Sequence, residues 1–188
     1  AIVYEFSEGA TSASVSGLPA GVISTIVGND LTISGTPSAG ITTQTVYSYT
    51  ITTTGSPCNS SVTGSITVDP DDAIALTSAA GTESQVLCET EPLVAIIYEF
   101  SEGATSATVS GLPAGVIFTI VGNDLTISGT PSAAISTSQF YPYTVTTVGT
   151  CESAILNGTI TVDPEAIIDL TLVSNDAQVI CENTPIID

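Results

Sequence analysis

The sequence predicts an all-β chain built from tandem copies of one sandwich-like unit, and three observations carry that prediction. The first is repetition. Residues 15–38 read VSGLPAGVISTIVGNDLTISGTPS and return as residues 109–132 with one change, Ser24 to Phe118. The offset of 94 residues holds from Tyr4/Tyr98 to Asp69-Pro70/Asp163-Pro164, and slips to 93 only where Glu83 has no counterpart. A unit of that length can bury a core of its own, so the repetition means tandem domains. The second observation is alternation: VYSYTITT sets Tyr47, Tyr49 and Ile51 on one face and Ser48, Thr50 and Thr52 on the other. The third is the Gly/Pro punctuation between short apolar runs, with no sustained helical period.

The elements of one period follow in a fixed order. AIALTSA (73–79) comes first, either as a leading strand or as a stiff inter-domain connector. Further strands are expected near 85–88, 95–100, 104–110, 116–121, 125–129, 139–147 and 156–162. GLPAG is a turn: Pro19 and Pro113 fix φ, and Gly17, Gly21, Gly111 and Gly115 permit angles that other residues resist. TIVGNDLTISG is a hairpin with Asn29-Asp30 (Asn123-Asp124) at its tip, both residue types tolerant of positive φ. With that turn Ile26 faces Ile33 and Gly28 faces Leu31. Position 24 then shares the Ile26 face, so Ser24/Phe118 is a packing variation at its end. SGTPS closes the stretch with a second turn at Gly35 and Pro37, or Gly129 and Pro131. In the copy FYPYTVTT, Pro142 cannot donate to a ladder, which predicts an edge strand or a bulge there. GSITV and GTITV are strands ended by Asp-Pro.

This order fits an immunoglobulin-like β-sandwich. One complete unit spans 73–164, while 1–72 lacks its leading strands and 165–188 supplies those of a next unit. The chain reads as cut from a longer array in mid-unit. Its lack of Met fits a processed product or a piece of something longer.

Composition removes several function classes. There is no Lys, Arg or His, and 19 carboxylates give a net charge of -19. Nucleic-acid binding needs cations to displace counterions, so that partner class is excluded, and anionic membranes and phosphorylated ligands are disfavoured. No apolar run reaches the roughly 18 residues of a membrane span, so direct membrane insertion is not expected, and no signal-peptide pattern is present. The apolar share of 43% falls in short alternating runs, which argues against disorder.

Catalytic constellations are missing. Serine or cysteine catalysis lacks its histidine base. Glu5, Glu8, Glu99 and Glu102 recur in YEFSEG, and two carboxylates are the minimum for glycoside hydrolysis. They flank a strand end in both copies with no other catalytic residue type nearby, so they read as a polar strand edge and the chain as no enzyme. Lys–Asn isopeptide crosslinks are impossible without Lys. Asn59-Ser-Ser and Asn157-Gly-Thr are glycosylation sequons by pattern.

Acids gather where units should meet: Asp69, Asp71 and Asp72, with Glu83, Glu89 and Glu91 following, then Asp163, Glu165, Asp169, Asp176 and Glu182. Calcium takes six to eight oxygens and would stiffen such a junction. Asp69, Asp71, Asp72, Asp163 and Glu165 are the candidate ligands, and calcium the candidate cofactor. The other reading is a solvated acidic linker, because Asp72 becomes Ala166 in the second copy and no DxDxDG loop exists.

GLPAGV, LTISGTPS, YTVTT and GTITV together resemble the Ig-like and cadherin-like tandem repeats of very large surface proteins of Bacteroidetes, including SprB-type gliding-motility adhesins. The lead-in GTESQVLC and the Cys just after YTVTTVG strengthen the resemblance, which covers essentially the whole chain. It implies type IX export, cell-surface display and a stalk or adhesive-filament role.

Cys58, Cys88, Cys151 and Cys181 occur two per period, with no CxxC, so a zinc cage is excluded and secreted disulfides are favoured. Up-and-down winding places Cys88 and Cys151 at opposite ends of one sandwich. The equal spacing of 30 suggests Cys58–Cys88 and Cys151–Cys181, provided that 73–79 folds back on the preceding strand. A staple between neighbouring domains is a further arrangement.

Three functional readings follow. The first is a structural spacer in a long secreted surface adhesin, whose partners are neighbouring repeats of the same chain or filament and, at its tip, an external surface or glycan. The second is a non-covalently polymerising, pilus-like subunit using strand exchange. The third is a polysaccharide-binding module, which 5% aromatic content and no Trp disfavour.

Overall fold

The computed structural model describes residues 1–38, 40–55, 57–132, 134–168, 179–183 and 185. Among these residues there are fourteen strands and no helix. The first unit holds β1 (Ile2–Glu5), β2 (Ser12–Ser16), β3 (Val22–Val27), β4 (Asp30–Gly35), β5 (Thr45–Thr54) and β6 (Ser61–Val68). The second holds β7 (Asp72–Leu76), β8 (Ser84–Cys88), β9 (Ile96–Glu102), β10 (Ala104–Ser110), β11 (Val116–Val121), β12 (Asp124–Gly129), β13 (Gln139–Gly149) and β14 (Ile155–Asp163).

Each unit is an immunoglobulin-like sandwich of two sheets. In the second, β11-β12-β9-β7 packs on β10-β13-β14-β8; in the first, β1-β4-β3 packs on β2-β5-β6. All pairings are antiparallel except β14 with β8. The inward positions of the alternating strands make two cores. Leu87, Ile96, Tyr98, Phe100, Leu125, Ile127, Tyr143, Val145 and Ile160 centre one, and Phe6, Leu31, Ile33, Tyr49 and Ile51 centre the other. The segment 165–188 lies largely outside the described residues.

AIALTSA resolves as a strand: β7 pairs antiparallel with β9, and Ile74 and Leu76 pack on the second core. The hairpin departs from expectation by one step. Val27 pairs with Asp30 and Ile26 with Leu31, so Gly28-Asn29 is the two-residue turn, and Ile33 faces Ser24. Gly28 has φ 63 and Asn29 is not among the positive-φ residues, the signature of a type II′ turn, which puts glycine first. Asp30 and Asp124 are thereby strand residues. Position 24 still shares the Ile26 face, at its solvent rim: Phe118 is 37% exposed.

Pro142 is in neither an edge strand nor a bulge. β13 is internal, and Pro142 lies just past the reach of β10, whose last pair is Ser110–Thr144. Its missing N–H therefore faces no strand. The irregularity in that ladder falls at Ala104/Ser106 instead. Here Gly111 turns at φ 90, and a Cβ on it would collide with the Pro142 carbonyl, so the chain needs glycine twice over. The GLPAG turn closes with Val116 N donating to Pro113 O (3.1 Å), and Ser132 N ties the SGTPS turn to it through Ala114 O (3.0 Å). The repeated motif is thus two turns locked to each other around one hairpin.

Candidate functional site

Two regions of the surface set the units apart: the junction between them, and the outer edges of the first unit. The junction starts at the end of β6. Gln44 Nε2 donates to Asp69 Oδ1 at 2.6 Å, and the Asp69 carbonyl lies 3.7 Å from Cys151 Sγ. Asp72 N donates to Glu152 O (3.0 Å), and Gly103 N to Asp71 O (3.2 Å). The turn between β13 and β14 and the turn after β9 thus rest on the residues that leave β6. Thr36, Pro37, Ile41, Val68 and Glu102 line a groove of about 410 Å³ there.

Asp72 is the anomaly of this junction. It is buried, and neither carboxylate oxygen has a hydrogen-bond partner among the described residues. It lies against Gly103 and Gly149, where a Cβ would meet Oδ1. The Cys151 thiol is pushed up, first by desolvation and then by Asp69, Asp71 and Asp72, all of which oppose the thiolate.

The five candidate calcium ligands do not form one site. Asp69, Asp71 and Asp72 stand where the first unit meets the second; Asp163 and Glu165 stand at the opposite end of β14. No three metal-ligating side chains come together among the described residues. Neighbouring acids instead hold turns. Glu83 accepts from Gly81 N (2.8 Å), Glu89 from Ile135 N (3.0 Å), Glu91 from Cys88 N (3.2 Å) and Glu165 from the Thr90 hydroxyl (2.9 Å). Asp169 and Asp176 lie outside the described residues. Glu99 and Glu5 stand across from Asp124 and Asp30 in their ladders, and Glu8 and Glu102 occupy positive-φ turns (φ 55 and 60).

All four cysteines are exposed. Cys88 ends β8 beside Asp163, while Cys151 precedes β14 at its other end. The length of β14 sets them about 26 Å apart, far beyond the roughly 7 Å of a disulfide. A Cys58–Cys88 bond within one chain requires 73–79 to fold back on β6, and those residues pair with β9 instead. Cys58 lies between β5 and β6, at the end of the first unit remote from the junction.

The outer edges differ between the units. β7 covers β9 and β8 covers β14, whereas among the described residues β1 and β6 have no strand on their outer sides. Two cavities open between these bare edges: one of about 240 Å³ lined by Tyr4, Phe6, Ala13, Leu31, Ile51 and Val62, another of about 220 Å³ lined by Ile2, Val22, Ile33, Pro37 and Ile66. Sequence reasoning did not find the cavities, the Asp72 burial or the Cys151–Asp69 contact.

No family model matches the chain, and no curated protein matches it. Solved structures similar to it include titin domains Z1Z2 in complex with telethonin, at 12% identity over 78% of this chain and 74% of that one, with a TM-score of 0.41. Human protocadherin-24 EC1-2 is similar at 15% identity over 84% of this chain and 82% of that one, with a TM-score of 0.46. An endo-fucoidan hydrolase of glycoside hydrolase family 107 is similar at 19% identity over 87% of this chain and 25% of that one, with a TM-score of 0.34. At these values the likenesses carry no argument about what the chain does.

Proposed function

We propose that the chain is a structural spacer, a segment of a stalk in a long secreted surface adhesin or filament. The observation that supports it most is the junction. The short connector that leaves β6 is held against the second sandwich through Gly103–Asp71 and Cys151–Asp69 contacts, and β7 is tied in at its start by Asp72–Glu152. Units joined end to end add reach with each copy, about 30–45 Å per sandwich from strand length plus linker. Near-identical repeats suit a length function, and a charge of -19 makes successive stretches of chain repel. Export to a bacterial surface, and a part in gliding or attachment, rest on the GLPAG and SGTP motifs alone. Small-angle scattering on the chain and on a fusion of two copies tests the spacer role. The largest dimension should grow by that increment for each added sandwich. Growth with only the cube root of mass, as for a compact globule, would sink the reading.

A further inference from the structure

The edge strands of the second unit are not guarded alike. β10 carries a bulge at Ala104/Ser106 and small hydroxyl side chains, and β7 is five residues long and opens on Asp72. A bulge, a short strand or a charge on the edge each discourages another strand from pairing there. β11 has none of these. It is the last strand of its sheet, with β12 on one side and no strand on the other among the described residues. Its sequence, VIFTIV, holds no charge and no proline. No carboxylate occurs from Ala104 to Asn123, in a chain of net charge -19. Ile117 is 60% exposed and Val121 78%, and Phe118 and Ile120 stand at the rim of the core. β3 repeats this bare edge in the first unit, with Ser24 at the Phe118 place.

The backbone of this edge is open as well. Val121 pairs with Asp124 across the two-residue turn, so Val121, Thr119 and Ile117 exchange their hydrogen bonds with β12. The N–H and C=O groups of Phe118 and Ile120 therefore point away from the sheet, and no backbone partner meets them among the described residues. We propose that their partner is a second copy of the chain. The two copies pair antiparallel, β11 to β11, across a two-fold axis at Thr119, and their two four-stranded sheets become one.

The strand is its own complement in that register. Phe118 and Ile120 lie on the core-side face, across from buried Ile127 and Leu125, and Ile117 and Val121 lie on the outer face. Antiparallel pairing about Thr119 sets Phe118 of each copy opposite Ile120 of the other, and Ile117 opposite Val121. Each apolar side chain of the edge then meets an apolar one, and the outward donors and acceptors of Phe118 and Ile120 satisfy each other. Asp124, the first acid after the strand, falls opposite Ala114 of the other copy rather than opposite an acid. Charge favours the same occupant. Two chains at -19 repel over most of their surfaces, so an uncharged strip is where they can approach. A partner drawn by charge would be cationic, and this edge offers it no carboxylate. One six-residue edge buries less than the roughly 800 Å² per partner of a standard interface, so a single pair is weak. Ser24 makes β3 the poorer edge of the two, because it puts a hydroxyl where the pairing needs a ring.

The test is sedimentation velocity of the full chain up to about 1 mM. It is run in about 0.5 M NaCl, to screen the acidic surfaces. Amide hydrogen exchange at low and high concentration accompanies it. The expected result is a monomer–dimer equilibrium in which the Phe118 and Ile120 amides slow as the dimer forms. Thr119, already bonded to Thr126, should change little. Phe118→Ser gives β11 the sequence of β3 and should weaken the dimer by about a hundredfold, since each copy loses a ring from the contact. Ile120→Lys places a charge on the edge and should also return the chain to monomer. Circular dichroism checks that both variants stay folded. A chain that is monomeric at every concentration overturns the proposal. So does a dimer whose Phe118 and Ile120 amides exchange as they do in the monomer, or one that survives both substitutions unchanged. A monomer that is nonetheless elongated would overturn this proposal and leave the spacer reading standing.

Discussion

The two sandwiches are nearly one sequence in two environments, and their difference shows that edge cover, not residue identity, sets burial here. Tyr98 and Tyr143 join hydroxyls at 2.9 Å inside a closed core, and the Tyr143 hydroxyl also donates to Glu83 O at 3.1 Å, on the turn that leads into β8. Tyr4 and Tyr49 make the same bond at 2.8 Å, with rings edge-on at 6.5 Å, but Tyr4 is only half-buried. The β7–β8 segment thus does two jobs for the second unit. It plugs the side of the core with Ile74, Leu76 and Leu87, and it presents a backbone carbonyl to the tyrosine pair.

The largest expected contrast comes from truncating one residue in both places. Ile96→Ala removes a fully buried side chain and should cost about 3–4 kcal/mol in urea unfolding of the second unit. Ile2→Ala removes a side chain that is already 38% exposed and should cost the first unit less than about 1.5 kcal/mol in the monomer. Equal costs would break the comparison.

A smaller contrast is expected in alkali. Burial, followed by the hydrogen bond to Tyr98, pushes the Tyr143 phenol far above its ordinary value, and burial also raises Tyr98. Tyr49 is raised too, chiefly by its hydrogen bond to Tyr4. A phenol raised in the folded state contributes stability that is fully present below the unfolded value of about 10 and is lost as pH climbs through the folded one. Both units should therefore weaken above about pH 10, the second more steeply. Urea midpoints at pH 8 and pH 11, with Tyr143→Phe to flatten the difference, check the sign and the order.

Much of this was legible beforehand, and the failures share a cause. Alternation placed Tyr49, Ile51, Tyr143 and Val145 on inner faces, because a strand facing one core repeats every second residue. The hairpin slipped by one residue because Gly-Asn and Asn-Asp are both credible tips, and only the ladder shows that Asp30 pairs with Val27. Pro142 misled because a proline reports that its N–H faces no strand, not that its strand has no neighbour. The Tyr–Tyr bonds, at a sequence separation of 45, and the Cys151–Asp69 contact, at 82, depend on how sheets and units meet. No local period encodes them.

The smallest expected effect concerns Asp72, whose match in the second copy is Ala166. Asp72 buries two oxygens without partners, while Ala166 offers none at the matching place. Burying an unpartnered carboxylate is costly, so Asp72→Asn should raise the melting temperature, by the equivalent of about 1 kcal/mol. Calcium should leave the melting temperature of the parent chain unchanged, because the five acids are divided between two ends of the second unit and no three metal-ligating side chains converge among the described residues. A calcium-dependent rise that Asp72→Asn abolishes would reverse both expectations. Asp72 would then be the side chain through which the ion stiffens the connector between the two sandwiches, since its two buried oxygens are the acceptors left without a partner among the described residues.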